Sequence, residues 1–568
     1  MYSLTKALFP EMALVIAASI LFLMGTSRKA SVRKTAPVIA LIALAIALVS
    51  QLSAIFNTNG AADPWQSIQI SEFSRYVKLL SAGLGILLTL LAWPTNEDAT
   101  AGPSIYFGNE CAEFFALMLL SIAGLFLVAG ANDMMLLFLA IELSSLPTYI
   151  MVSISRPLPV AQEAGVKYFF LGAMAAALLL FGFSYLYGTT GTIYLHGAVD
   201  ADGTVLAGVD TAIRAAGGIP TAWQILGLVL LIGGLSFKMV AAPLHVYAAD
   251  VYQGAATPVT AFLSFVPKAA GFVGLLKVLF AVGGSSWVLP HEIGQLIWWI
   301  AVLTMCSGNV LGLLQNNIKR VLAYSSIAHS GYMLAAVAAL ISITAAPHTA
   351  LYDAVPAVIR DTMSLGQNTD QAYALRGVLF YLAAYGLTNI AAFGVLIMLP
   401  GRSGEVGTSA ETFEEIAGLG RANIGLGLAM AVACFSLIGI PLTVGFIGKV
   451  LLVQPALQAN LPGLVVILMI NSAVSAVYYL RIVATLFLRP ASEGQGTSAE
   501  VVVVPHVKHP LPITAAVLCS AVGVLVLGAV APLTDRAVYR SQTASKLDIR
   551  LPVSTDKTVA AAGMTVHP

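Results

Sequence analysis

Glu142, Lys238, His245, Lys268, His329 and Lys449 are ionisable residues set in sequence that offers them little water. Glu142 lies in FLAIELSSLPTYIMV, Lys238 and His245 in ILGLVLLIGGLSFKMVAAPLHVYAADVY, and Lys268 in TPVTAFLSFVPKAAGFVGLLKVLF. His329 follows in AYSSIAHSGYML, and Lys449 comes late in FSLIGIPLTVGFIGKVLL. An ionisable group at the centre of a bilayer costs at least about 2.5 to 3.5 kcal/mol on insertion scales, so each is a functional hypothesis by default. The chemistry such a set performs is proton relay. Burial favours the neutral amine of a lysine and a nearby carboxylate favours the ammonium, so moving Glu142 toward or away from Lys238 decides whether the lysine keeps its proton. A hundred- to thousandfold change in that balance is about 3 to 4 kcal/mol. This is comparable to moving one charge against about 150 mV.

The residues around these charges support that reading. Ser145 shares the face of Glu142 at i+3. Pro243, five residues after Lys238, removes a backbone donor and breaks the helix, which at membrane depth is tolerated only where protein or a water-filled cavity covers the freed groups. His245 and Asp250 follow that break; a histidine simply satisfied by a carbonyl is nearly as good an account of His245 as a relay role. Pro267 precedes Lys268 directly, while Lys277, nearer the end of its span, reads as a structural lysine reaching for the interface. Ser325, Ser326 and Ser330 surround His329, and Pro441, Gly445 and Gly448 interrupt the helix before Lys449.

The elements that must position these side chains follow from composition. The 568 residues are 58% hydrophobic and only 10% charged, with mean hydropathy +0.88, whereas soluble domains carry about 25% charged residues. A formal charge of +1 leaves no basic field for nucleic acid. Cys111, Cys306, Cys434 and Cys519 are scattered, without the spacing of a metal or disulfide framework. Apolar runs long enough to cross the hydrocarbon core fall near 10–25, 36–56, 77–93, 113–131, 133–153, 165–187, 222–250, 257–282, 293–314, 322–344, 376–399, 422–452, 461–487 and 510–532. The expected fold is an all-α polytopic membrane protein of about fourteen transmembrane helices. The first run reads as a retained span and not a signal peptide.

Basic residues in short loops mark the cytoplasmic side. Arg28, Lys29, Arg33 and Lys34, then Arg156 and Lys167, Lys319 and Arg320, Arg402 and Arg421, and Arg489 and Lys508 alternate as that rule requires, placing both termini outside. Two stretches run against it: 94–112, with Glu97, Asp98 and Glu110, and the tail with Arg536, Arg540, Lys546, Arg550 and Lys557. A repeat emerges at an offset of 212. Gly165-Val166-x-Tyr168-Phe169 with Phe181-Gly182 matches Gly377-Val378-x-Phe380-Tyr381 with Phe393-Gly394, and Lys238 matches Lys449 at 211. The matched spans are five apart, so the two units run in opposite directions through the membrane.

The stretch FKMVAAPLHVYAADVYQGAATPVTAFLSFVPKAAGF, from Phe237 to Phe272, resembles the antiporter-like membrane-arm subunits of respiratory complex I, NADH:quinone oxidoreductase. Within that family, DVYQGAATPVTAFLS followed by KAAGF is most similar to the subunit N (mitochondrial subunit 2-like) branch. FLAIELSSLPTYIMV, EAGVKYFFLGA, NNIKRVLAYSSIAHSGYM and IGIPLTVGFIGK extend the resemblance over roughly 105–485. It implies fourteen helices with two inverted five-helix repeats and broken helices at spans 7 and 12. The divisions are 1–112 for three N-terminal spans, 113–282 for spans 4–8, 293–487 for spans 9–13, and 488–568 for span 14 and the tail. By motif the family's functional charges fall on Glu142, Lys238, Lys268 and Lys449. Tyr247 departs from the family's usual tryptophan and Ala256 from its usual proline.

The resemblance further implies a proton-translocating subunit with no cofactor of its own. NADH, FMN, iron-sulfur clusters and quinone are expected in partner subunits, with K-like and M-like neighbours in a hetero-oligomer of the bacterial plasma membrane. The alternative is a subunit of a multi-component cation/proton antiporter or a membrane-bound hydrogenase.

Overall fold

Backbone amides and carbonyls inside a bilayer must be satisfied within their own segment, which makes long apolar runs helical. The computed structural model describes residues 8–27, 29–56, 67–94, 110–156, 158–199, 205–284, 287, 289–342, 370–399, 410–489 and 510–529. The expectations stated for Arg28, Glu97, Asp98, Arg402, Lys508 and the basic tail lie outside the described residues. The helices are α1 (Phe9–Gly25), α2 (Ala36–Phe56), α3 (Glu72–Leu91), α4 (Cys111–Gly130), α5 (Met134–Ile154), α6 (Pro159–Thr190), α7 (Ala222–Met239) and α8 (Ala248–Gly254). They continue with α9 (Thr257–Gly283), α10 (His291–Leu313), α11 (Ile318–Ser342), α12 (Asp370–Met398), α13 (Ile424–Ile438), α14 (Val444–Gln458), α15 (Pro462–Phe487) and α16 (Leu511–Ala529).

Among the described residues twelve helices are long and apolar enough to cross a membrane, or thirteen when the pair Phe413–Ala422 and Ile424–Ile438, bent by 120°, is one span. The shorter α1 fills the first expected run, and α13 with α14 fills the twelfth. One departure from an all-helical chain lies between α6 and α7, where β1 (Ala198–Val199) pairs antiparallel with β2 (Val205–Leu206). Asn132 ties that loop down, accepting from the His196 amide and donating to its carbonyl.

Both broken spans occur where proline and glycine place them. α7 stops at Met239, with Val240 left-handed (φ 58), and α8 resumes at Ala248. The freed carbonyls find partners: Tyr247 OH donates to Phe237 O at 2.8 Å and Ser330 Oγ to Met239 O at 2.5 Å. The Ala242 amide donates to Thr304 Oγ1. Tyr247 also stacks on Phe237 and Tyr168. Because Ala256 is not proline, its amide donates to Ser155 Oγ. In the second break α13 ends on Gly439 at φ 87, a conformation glycine adopts without the Cβ penalty. Lys238 precedes its break and Lys449 follows its own, so the two lysines flank the breaks on opposite sides.

α9 and α11 are the most enclosed helices, whereas α2, α6, α15 and α16 keep most of their residues at the surface. Lys268, Lys277, Lys319 and His329 therefore ride on helices enclosed by the rest of the bundle. α4 and α5 pack so closely that a Cβ on Gly124 would strike the backbone of Leu143 and Ser144, beside Glu142. Gly124→Ala is expected to push α5 outward and lower the amount of chain in membranes severalfold on an immunoblot. Gly83→Ala, which meets open space, serves as the control and leaves that amount unchanged.

Candidate functional site

The first charge pair is built on two facing helices. Glu142, Ser145 and Tyr149 recur at i, i+3 and i+7 on α5, which puts them on one face, and Lys238 on the last turn of α7 reaches across. Its Nζ donates to Glu142 Oε1 at 3.2 Å, Ser145 Oγ at 2.7 Å and Tyr149 OH at 3.0 Å. The Lys238 side chain is 2% exposed against 15% for Glu142. A buried ion pair survives only where other hydrogen bonds complete its shell, and the serine and tyrosine supply them.

A string of hydroxyls leads onward. Ser330, which caps Met239 O at the break, also reaches Ser326 O at 3.2 Å, and Lys268 Nζ donates to Ser326 O and Oγ, each at 2.6 Å. Lys268 is fully buried and lies 4.6 Å from the centre of the Tyr385 ring. Gly271, one turn along α9, leaves its Cβ position 3.0 Å from Lys238 Cβ, so the two lysines occupy adjoining faces. His329 hydrogen-bonds Tyr381 OH through Nδ1 at 2.6 Å and Tyr479 OH through Nε2 at 3.1 Å. Tyr479 in turn bonds Ser325.

Lys449 terminates the chain on α14. Its Nζ donates to Ile438 O and Ser472 Oγ, both at 2.7 Å, and sits 5.1 Å from the Tyr332 ring centre. Tyr381 joins the two sites, since it bonds His329 and packs against Gly448. Glu142, Lys238, Lys268, His329 and Lys449 thus lie in neighbouring polar clusters on packed helices. His245 is not among them. It lies in the first break, between half-exposed and exposed neighbours, with a buried Nδ1 that makes no hydrogen bond.

At one end of the bundle Arg156 and Lys319 both hold Glu411, at 2.5 and 3.1 Å, and Lys167 and Arg320 hold Asp250 at 3.0 and 2.7 Å. Basic residues assigned to one side by loop charge do therefore share one end. Burial raises the Glu411 carboxyl, but Lys319 and Arg156 outweigh it and hold it below its usual range.

Sequence reasoning missed the tyrosines. Tyr149 was visible as the i+7 partner of Glu142 and Tyr381 only as a position of the repeat; Tyr385 and Tyr479 carry no local signal. It also missed Glu11, paired with Lys78 at 2.5 Å with both side chains 5% exposed. Lys277 reaches no interface: it is buried and donates to Ala131 O at 2.8 Å, because α9 is enclosed along its whole length. Among the described residues no group of three or more His, Cys, Asp or Glu is arranged to hold a metal.

The family model for the NADH:quinone oxidoreductase/Mrp antiporter transmembrane domain matches residues 131–354 and 362–475, more than half the chain. NADH-quinone oxidoreductase subunit N of Myxococcus xanthus is 38% identical over 496 residues, 86% of this chain and 89% of that protein. This chain belongs to the subunit N family. A chain of respiratory complex I from Thermus thermophilus with bound Aureothin is 29% identical, with TM-score 0.68, covering 93% of this chain and 99% of that one. A chain of the Mrp complex from Dietzia sp. DQ12-45-1b shares the fold at TM-score 0.72 and 19% identity, over 96% and 97%. Subunit N family membership fixes a multi-pass membrane protein.

The Glu411 clamp gives a pH-dependent prediction. A depressed carboxyl contributes stability that is complete above the unfolded value of about 4.3 and is lost as pH falls through the lower folded value. Glu411→Gln should cost about 1 to 3 kcal/mol, read as a lower thermal unfolding midpoint of the solubilised complex at pH 6 to 8. The gap from wild type should close in acid.

Proposed function

We propose that this chain is the antiporter-like, proton-translocating membrane subunit of an NADH:quinone oxidoreductase. It couples electron transfer from NADH to quinone, carried out by NADH, FMN, iron-sulfur and quinone sites in partner subunits, to proton movement through the buried path. Its place is between K-like and M-like neighbours in the membrane arm, in a bacterial plasma membrane with both termini external. The divisions 1–112, 113–282, 293–487 and 488–568 serve as the three leading spans, the two inverted repeats and the closing span.

The observation that carries this reading is the shell of Lys238, one carboxylate and two neutral hydroxyls. With Glu142 in place the ammonium has a counter-charge. With Glu142 withdrawn, serine and tyrosine remain as partners that a neutral amine also accepts, so the proton is released. Glu142 is the electrostatic switch and Lys238 the carrier. Lys268 and His329 relay, with Ser326, Ser330 and Tyr381 as the hydroxyl bridges, and Lys449 passes the proton toward the external side. His245 serves the first break as a local proton acceptor. A coupled pair of this kind titrates as a unit.

Lys238→Ala in a fully assembled complex is expected to cut NADH-driven proton pumping in membrane vesicles by about a hundredfold or more, the scale of a lost proton-transfer group. Quinone-linked NADH oxidation should fall with it. Normal pumping in that variant overturns the reading. Unchanged NADH oxidation and gradient with sodium/proton exchange abolished puts the cation antiporter in its place.

A further inference from the structure

The first break leaves α8 as a short half-helix held on two sides. Its outer side is charged: Lys167 and Arg320 hold Asp250, and Lys319 takes the carbonyls of Gln253 and Ala255. Its inner side carries Tyr252, two residues after Asp250 and 2% exposed. Thr260 Oγ1 donates to the Tyr252 carbonyl at 3.1 Å, and the ring lies 6.3 Å from that of Phe393 on α12. The Tyr252 hydroxyl lies 3.3 Å from Ser326 Oγ. Lys268 Nζ donates to the same serine oxygen at 2.6 Å, so one hydroxyl stands between the broken span and a buried lysine. The titratable groups around it are Lys268 on α9, His329 one turn along α11 and Tyr385 on α12, whose ring faces Nζ; Lys238 lies across Gly271. Among the described residues both hydrogen bonds of Lys268 go to Ser326, and no carboxylate pairs with it.

A serine hydroxyl has one proton and two lone pairs. The Tyr252 hydroxyl has no other hydrogen-bond partner among the described residues, and a buried donor left unpaired is costly, so the tyrosine donates and occupies one lone pair of Ser326. When Lys268 is neutral, its own lone pair accepts from Ser326, and Tyr252, Ser326 and Nζ form one chain in which each hydrogen bond strengthens the next. When Lys268 is an ammonium it has only donors, and it shares the serine oxygen with the tyrosine. Resting on the function proposed above, we propose that Tyr252 is a positioning residue for the proton step at Lys268: with α8 docked it turns Ser326 toward the neutral amine, and with α8 withdrawn it returns the oxygen to the ammonium. No bond to hydrogen on Tyr252 forms or breaks. The step it biases is the loss of one proton from Lys268 to the relay through His329.

A purely structural account makes Tyr252 a core aromatic whose hydroxyl merely finds a partner. Phenylalanine separates the two, because it keeps the ring and removes the donor. In assembled complex, protons pumped per NADH oxidised are followed against pH in membrane vesicles, where the acid-side fall-off reports a group that must release its proton. Without the tyrosine the ammonium is held more firmly, so Tyr252→Phe should move that fall-off to higher pH by about half a unit to one unit, the scale of one hydrogen bond. In a Ser326→Ala background the same substitution should move it no further, since the tyrosine acts through the serine. A loss equal at every pH, an unshifted fall-off, or an equal shift with the serine hydroxyl removed overturns the inference. Should Tyr252→Phe not assemble, Asp250→Asn, which loosens α8 from its outer side, is read instead: the same upward shift supports the link and an unchanged profile removes it. Lys238→Ala is measured alongside. Normal pumping there defeats the proposed function, whereas a dead Lys238→Ala with an unshifted Tyr252→Phe defeats only this inference.

Discussion

Solvating a buried ammonium is the constraint on which the structure depends. Each buried lysine needs up to three acceptors, and the protein has to supply them. Three of the buried lysines find them at the C-terminal ends of helices: Lys277 at Ala131 after α4, Lys319 at Gln253 and Ala255 at the end of α8, and Lys449 at Ile438, the last residue of α13. Those carbonyls lack intrahelical partners and carry the negative end of the dipole. A helix break within the membrane is therefore a solvating device as well as a discontinuity. Lys238 relies on side chains instead, and Lys268 shares the carbonyl of Ser326 in the middle of α11 and completes its shell with a hydroxyl and a ring face.

The path is asymmetric in charge. Its only carboxylate is Glu142, and beyond Lys238 the lysines and histidine are surrounded by hydroxyls, carbonyls and tyrosine rings. Tyrosine rings attract cations without forming a neutral pair by proton transfer, and their hydroxyls both donate and accept. The second half thus tolerates a passing positive charge but does not trap it. On the function proposed above, the first half holds its charge until the carboxylate moves, with Glu142 as the switch.

Much of this was legible in the sequence. Every apolar run became a helix or a helix pair because run length and the hydrocarbon thickness are the same constraint, and Pro243 and Pro441 marked both breaks. The motif charges Glu142, Lys238, Lys268 and Lys449 stood out because apolar surroundings make any charge conspicuous. What stayed hidden depends on tertiary contact. Tyr381 and Tyr479 read as core aromatics until His329 is placed between them. The Glu11–Lys78 pair joins residues far apart, each near the start of its helix, where a charge looks like an interfacial one. The burial of Lys277 followed from the enclosure of α9, which periodicity does not report when a helix is apolar on all sides.

The same fold serves chains that differ widely in sequence, so the path by itself does not specify what drives it. The driving step must act on an element bonded to both halves, and α11 meets that requirement. Ser330 holds the carbonyl at the first break, Lys319 and Arg320 hold the end and the acid of α8, and Ser326 and His329 hold Lys268 and the tyrosine bridge. A shift of α8 that loosened the Asp250 and Ala255 contacts would be felt by His329 on the same rigid helix, about 13 to 15 Å away at 1.5 Å per residue. Displacement of the broken span and rearrangement of the relay are then one event, transmitted along α11 without any need for the protonated groups to approach each other.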